Sequence, residues 1–107
     1  MIPDYQTLMR PVLECASSGE EVKISDVAEL LAKKLDLTVE ERAAILPSGK
    51  QTRFANRVNW AKSYLKQGGL VEITGRGRFK ITDRGRAALA DKAATINNAY
   101  LAARSAP

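Results

Sequence analysis

"SGKQTRFANRVNWAKSYLKQGGLVEITGRGRFKIT", residues 48 to 82, presents a helix, a stop and a hairpin in that order. Its first twenty residues, Ser48 to Gln67, carry five positive charges and no negative one. Phe54, Val58, Ala61 and Leu65 recur at helical spacing, so this part is expected to be an amphipathic helix. Gly68 and Gly69 end it, and either can supply the left-handed cap. "LVEIT" and "RFKIT" follow, separated by Gly75, Arg76 and Gly77. Val71 and Ile73 alternate with Glu72 and Thr74, and Phe79 and Ile81 alternate with Arg78 and Lys80. Alternation on both sides of a glycine-rich turn predicts a β-hairpin with those four apolar residues inward.

Upstream of this block the periodicity is helical. Asp4 can cap a first helix carrying Tyr5, Leu8, Met9, Val12, Leu13 and Ala16, kinked at Pro11 and ending near Ser17 to Gly19. "KISDVAELLAKKL" offers a short extended piece at Ile24, a cap at Ser25 and a helix burying Val27, Leu30, Leu31 and Leu35. Thr38 to Glu41, "TVEE", has the form of a capping box and opens a further short helix that ends before Pro47. Pro47 to Gly49 forms a turn. Downstream of the hairpin, Thr82 or Asp83 caps one last helix, "DRGRAALADKAATINNAYLAAR", with Leu89, Ala93, Ile96, Tyr100 and Ala103 on one stripe. Ser105 to Pro107 are expected to be disordered.

Several helices followed by a two-stranded hairpin, with the longest internal helix just before it, is the order of a winged helix-turn-helix. The expected fold is therefore mainly α with a small β-hairpin, and with an extra helix before the recognition helix. Residues 1 to 90 would form the winged-helix domain. The helix over residues 83 to 105 would pack on it, dimerise, or lead onward.

Composition narrows the chemistry. The chain has 107 residues, one cysteine and no histidine. Nucleophile–histidine pairs, histidine metal sites, cysteine zinc clusters and intrachain disulfides are therefore excluded, and no cofactor or metal is expected. Cys15 reads as a small hydrophobe beside an apolar stripe. No stretch approaches the roughly 18 consecutive apolar residues of a membrane span, and the start lacks a secretory layout, so the cytoplasm is the expected location.

The net charge of +5 is unevenly spread. Residues 1 to 47 hold five basic and nine acidic side chains, residues 48 to 90 ten and two, and residues 91 to 107 two and one. Such segregation suggests a basic surface facing a polyanion, nucleic acid above all. A solvated basic face is the alternative.

On a helix with about 100° between residues, Thr52, Asn56, Asn59, Ser63 and Gln67 lie opposite the apolar side. Arg53 and Arg57 stand on one flank, Lys62 and Lys66 on the other. Neutral amides can face base edges while cations on both shoulders meet phosphates. Asn56, Asn59, Arg53 and Thr52 are thus the candidate base contacts, with Asn56 first because an Asn amide can pair with both N6 and N7 of adenine. The candidate phosphate and wing contacts are Lys50, Arg57, Lys62, Arg76 and Arg78. An ordinary exposed helix surface is the competing reading of the polar face, and edge protection that of Lys80. Trp60 is expected to pack against a neighbouring helix or the hairpin, with stacking on a base or an unpaired nucleotide as the alternative. Pro3–Asp4 and Glu21–Lys23 spell a PD…ExK nuclease signature, but Asp4 serves better as a helix cap and the spacing lacks strands to bring the carboxylates to one metal ion.

"MIPDYQTLMRPVL", "ERAAILPSGKQTRFANRVNWAKSYLKQGGLVE" and "RGRFKITDRGRAAL" together resemble the amino-terminal domain of Mrr-type restriction endonucleases over about residues 1 to 90. The combination of "RV.WA..YL...GL" with "G.F.IT..G" carries the resemblance. It implies a DNA-recognition module that works with a PD-(D/E/Q)xK nuclease domain on methylated DNA. This chain would then be no enzyme itself, since that catalytic domain would lie elsewhere. It would bind double-stranded DNA, at the nucleoid, and its further candidate partners are a fused or separate nuclease domain and a second copy of the chain. The family's recognition helix carries over most directly to Arg53, Asn56 and Arg57. A protein-interaction or dimerisation module, pairing through the last helix, and a winged-helix transcriptional regulator are the alternative functions. RNA binding is weaker, because no aromatic sheet surface is present to stack bases.

Overall fold

The computed structural model describes residues 2 to 47, 49, 51 to 91 and 95 to 104, with the side chains of residues 103 and 104 outside the description. The order of elements is α1 (Tyr5–Cys15), β1 (Val22–Lys23), α2 (Ile24–Lys34), α3 (Val39–Ala43), α4 (Arg53–Gln67), β2 (Val71–Gly75), β3 (Arg78–Ile81), α5 (Asp83–Ala90) and α6 (Asn98–Arg104). The three strands form one antiparallel sheet in the order β1-β3-β2. Helices over a small sheet whose last two strands form a hairpin make the fold winged-helix-like.

Local chemistry explains most boundaries. The Asp4 carboxylate accepts from the Thr7 N–H at 2.8 Å and opens α1, which continues through Pro11. Thr38 and Glu41 complete their capping box, each side chain accepting from the other's backbone N–H at 3.1 and 2.9 Å. The Thr52 hydroxyl accepts from Ala55 N–H at 3.1 Å, so α4 starts at Arg53. Gly69, at φ 79°, is the left-handed residue that follows the Gly68 cap.

α1 and α4 pack side by side over a core of Leu8, Met9, Val12, Phe54, Val58 and Leu65. From the sheet, Val71, Phe79 and Ile81 close it. Cys15 sits half-buried against this core, and burial is the main influence raising its thiol pKa, with Glu14 adding and Lys34 opposing.

Four details depart from the sequence reading. The extended piece comes earlier, at Val22–Lys23, and is a true strand paired with β3 through Val22↔Phe79 and Lys23↔Arg78. Helix α2 therefore starts at Ile24, and Ser25 lies inside it instead of capping it. Its apolar face also differs: Val27 and Leu31 are buried, whereas Leu30 and Leu35 are exposed. Helix α3 stops at Ala43, because the chain then turns extended and Ile45 pairs with Thr52 across the loop. Gly49 belongs to that loop and donates to Leu46 O at 2.8 Å, while Ser48 lies outside the described residues.

In the hairpin, Phe79 is fully buried but its partner Ile73 is 44% exposed. Phe79 is flanked on both sides in the central strand, whereas β2 is an edge. A bulge between Ile73 and Gly75 also turns the end of that edge away.

The largest difference lies after the hairpin. One long helix was expected, and the chain forms two. Arg10 of α1 donates to Leu89 O at 3.1 Å and to Ala88 O and Asp91 O at 3.5 Å, occupying the carbonyls where α5 ends. Asn97 then starts α6 by accepting from Tyr100 N–H at 2.9 Å. Ile96 and Leu101 are buried in the domain's own core, and Tyr100 and Leu89 are partly buried against it. Ala93, the side chain of Ala103 and the segment Ser105 to Pro107 lie outside the described residues.

Candidate nucleic-acid interface

Helix α4 buries Phe54, Val58, Ala61 and Leu65 and turns its opposite face outward. That division follows from its apolar stripe, and it leaves Asn56, Asn59 and Ser63 partly exposed and Gln67 exposed. The Asn56 side-chain amide donates to Gln51 Oε1 at 3.3 Å, which commits one of its two donors. Asn59 donates to Ala55 O of its own helix at 3.3 Å, so one of its two donors is already committed. Thr52 uses its hydroxyl as the helix cap, and Arg53 is exposed at the first helical position.

The cations divide into two kinds. Arg53, Lys62 and Lys66 of α4 and Arg76 of the hairpin turn have no ion pair among the described residues. Arg57, by contrast, reaches back across α1's entry and donates to the carbonyls of Ile2 at 2.8 Å and Pro3 at 3.3 Å. Arg78 pairs with Glu21 at 3.2 Å, and Lys80 with its cross-strand partner Glu72 at 3.2 Å. The latter contact suits a strand edge. Lys50 lies outside the described residues.

The hairpin turn and the amino end of α4 meet a common neighbour, the first turn of α2. Gly77 O accepts from Ile24 N–H at 2.8 Å, which seats the turn on that end of the helix. Ser25, Ala28 and Glu29 of the same helix line a groove whose other wall is Thr52, Phe54 and Ala55. Nothing in the spacing of the sequence foretold this junction, because it depends on the strand β1 that delivers α2 to the turn.

Trp60 lies outside the core instead of being buried against a neighbouring element. It is 50% exposed. Its ring stacks on Tyr64 with centroids 5.9 Å apart, and Tyr64 stacks on Tyr5 of α1 at 5.0 Å. The carboxylates of the nuclease-like spelling are used otherwise. Asp4 caps α1, and Glu21 is held below the ordinary Glu range first by a hydrogen bond from Thr74 and then by Arg78. Among the described residues no cluster of three or more His, Cys, Asp or Glu side chains could hold a metal ion. No helix among them is long and apolar enough to cross a membrane.

A small antiparallel sheet behind a polar, cation-flanked helix defines the class, a winged-helix-like domain. The chain belongs to the Mrr N-terminal domain family, whose model matches residues 5–91, and it is thereby a restriction-system domain. It is 35% identical over 82 residues to the type IV methyl-directed restriction enzyme EcoKMrr of Escherichia coli strain K12. That match covers 76% of this chain and 27% of the relative, so the chain spans about a quarter of that enzyme's length. No solved structure matches the chain significantly.

Proposed function

We propose that this chain is the target-recognition module of an Mrr-like restriction system, binding double-stranded DNA and directing a linked nuclease domain to methylated sites. The observation that carries the reading is the outward face of α4. Asn56 and Asn59 occupy it, the cations Arg53, Lys62 and Lys66 flank it, and no acidic side chain lies on that helix. A helix of this kind can enter the major groove and bring amides to base edges and cations to phosphates. In this reading Arg76, on the turn whose Gly77 carbonyl is held by α2, would follow the backbone or enter the minor groove beside it.

Reading by an enzyme site is disfavoured by the residues themselves, since no histidine is present and the carboxylates at hand cap helices or pair with cations. The printed character of the relative, methyl-directed restriction, supports methylated DNA as the target.

The test is a binding titration at several salt concentrations with duplex DNA. About five phosphate contacts give a slope of log affinity against log salt near −4 to −5. Asn56→Ala should relax sequence preference at a cost of about 1–3 kcal/mol for a lost bidentate contact, with the salt slope unchanged. A salt-independent isotherm, or no affinity for any duplex, would remove the reading.

A further inference from the structure

Trp60 is the one large apolar side chain of α4 left exposed, at 50%, while the helix's other large apolar residues are buried or partly buried. It follows Asn56 by one helical turn, about 40° from it around the axis, and so projects from the same side as the candidate base-reading amide. Its orientation is set before any partner arrives. Trp60 stacks on Tyr64 at 5.9 Å and 29°, and Tyr64 on Tyr5 at 5.0 Å and 17°. The Tyr5 hydroxyl accepts from Asn98 Nδ2 at 2.7 Å, which fixes the far end of the row to α6. On the flank beside it, Arg57 is tied to Ile2 O and Pro3 O. The result is a rigid apolar platform on a helix face that is otherwise polar.

An apolar side chain among hydrogen-bonding ones has a specific use in the major groove. The apolar feature displayed there by base edges is a methyl group, such as the C5 methyl of thymine. Methylation of cytosine at C5 or of adenine at N6 adds a methyl group to the same groove. Stacking on a base would require that base to leave the helix, whereas contact with a methyl on a base edge requires only that α4 dock as the amides already demand. Resting on the DNA-binding reading above, we propose that Trp60 is a specificity-determining residue that contacts a base methyl group in the major groove, with Tyr64 and Tyr5 holding its ring in place.

Removing one methyl group from water against the indole should favour a methylated duplex by about fourfold, and by more where both strands are methylated. The experiment uses the 107-residue chain and randomised duplexes synthesised with cytosine and adenine, with 5-methylcytosine, or with N6-methyladenine. Affinities are measured for the native chain, Trp60→Ala and Trp60→Phe. The expected result is a methylated-to-unmodified ratio of at least about fourfold for one methylated pool, which identifies the base, falling to near one in Trp60→Ala and to an intermediate value in Trp60→Phe. Since Trp60 is the only tryptophan, its emission should also change more on binding the preferred pool than the unmodified one. A native chain that binds DNA with equal affinity in all pools, or a ratio that survives in Trp60→Ala, overturns the proposal while leaving DNA binding intact. If Trp60→Ala binds no pool, the ratio in Trp60→Phe decides, an unchanged value overturning the assignment. A native chain that binds none of the pools sinks the DNA-binding reading itself.

Discussion

The Arg57 guanidinium donates to the Ile2 carbonyl at 2.8 Å, tying the middle of α4 to the segment that leads into α1. A second bond, to Pro3 O at 3.3 Å, makes the side chain a two-point brace. Arg53, one turn earlier on the same flank, is exposed and unpaired among the described residues. The two arginines should therefore separate in mutational experiments. Arg57→Ala is expected to lower stability by about 1.5–3 kcal/mol, the range for hydrogen bonds to a charged group, seen as a lower urea midpoint. Arg53→Ala should change stability by less than about 0.5 kcal/mol and instead reduce the salt slope of DNA binding by about 0.9. Equal loss of stability in both would contradict the brace.

Gly85 gives a physical meaning to the last glycine of "RFKITDRG". A Cβ built there would lie 2.2 Å from Leu70 O and 2.5 Å from Ile81 Cγ1, because the first turn of α5 crosses directly over the hairpin's base. Thr82 makes that crossing by donating to Gly69 O at 2.6 Å and accepting from Gly85 N–H at 3.1 Å. Backbone cannot yield as a side-chain tip can. Gly85→Ala should thus cost about 3 kcal/mol, at the upper end for overpacking, and appear as a drop in thermal midpoint or as loss of soluble protein. Gly49→Ala is the useful contrast, for its Cβ would meet nothing and only its φ of 72° would be strained.

Features decided within one helix or one hairpin were legible in the sequence, and features decided by distant side chains were not. The capping box at Thr38 and Glu41, the stripe of α4 and the glycine pair that ends it all stand within a few residues of what they control. Strand β1 has two residues, too few for any period, and exists because β3 pairs with it from across the chain. The break between α5 and α6 needed Arg10, some eighty residues away, to occupy the α5 carbonyls. Only the cap at Asn97 could have been seen locally, as a polar pair inside an alanine-rich run. At the candidate interface, the amide face of Asn56 and Asn59 followed from spacing alone. The tethering of Arg57, the pairing of Arg78 and the outward stacking of Trp60 all depended on tertiary partners.

Carboxylates held below their ordinary pKa make acid a weak point, Asp4, Glu29 and Glu21 among them. Asp4 is held below its ordinary pKa of 3.8 chiefly by the Thr7 N–H. Glu29 is held below 4.5 by the hydrogen bond and charge of Arg42, and Glu21 below 4.5 by Thr74 and then Arg78. Because the folded pKa values are depressed, the unfolded chain takes up protons first as pH falls. Their contribution is therefore full above about 4.5 and is lost as pH drops through the lower folded values. Urea midpoints should be flat from neutral pH to about 5 and then decline. Asp4→Asn, which keeps a capping oxygen, should show a shallower decline than the native chain.

The Glu21–Arg78 pair sets a competition at the wing. Arg78 was expected to meet phosphate, yet at rest its Nη1 lies 3.2 Å from Glu21 Oε1, with both side chains about half exposed. A phosphate strand approaching the hairpin would have to draw the guanidinium away from that carboxylate or accept the carboxylate's repulsion. Exposed pairs are weak, so the barrier is modest, but it acts against binding and not against folding. Glu21→Gln should therefore raise DNA affinity by about two- to fivefold at low salt, with the gain shrinking as salt screens the repulsion. Combining it with Arg78→Ala should remove most of the gain, since the released cation would be missing. A Glu21→Gln protein whose affinity is unchanged at every salt concentration would place the wing away from the backbone, leaving α4 as the sole contact.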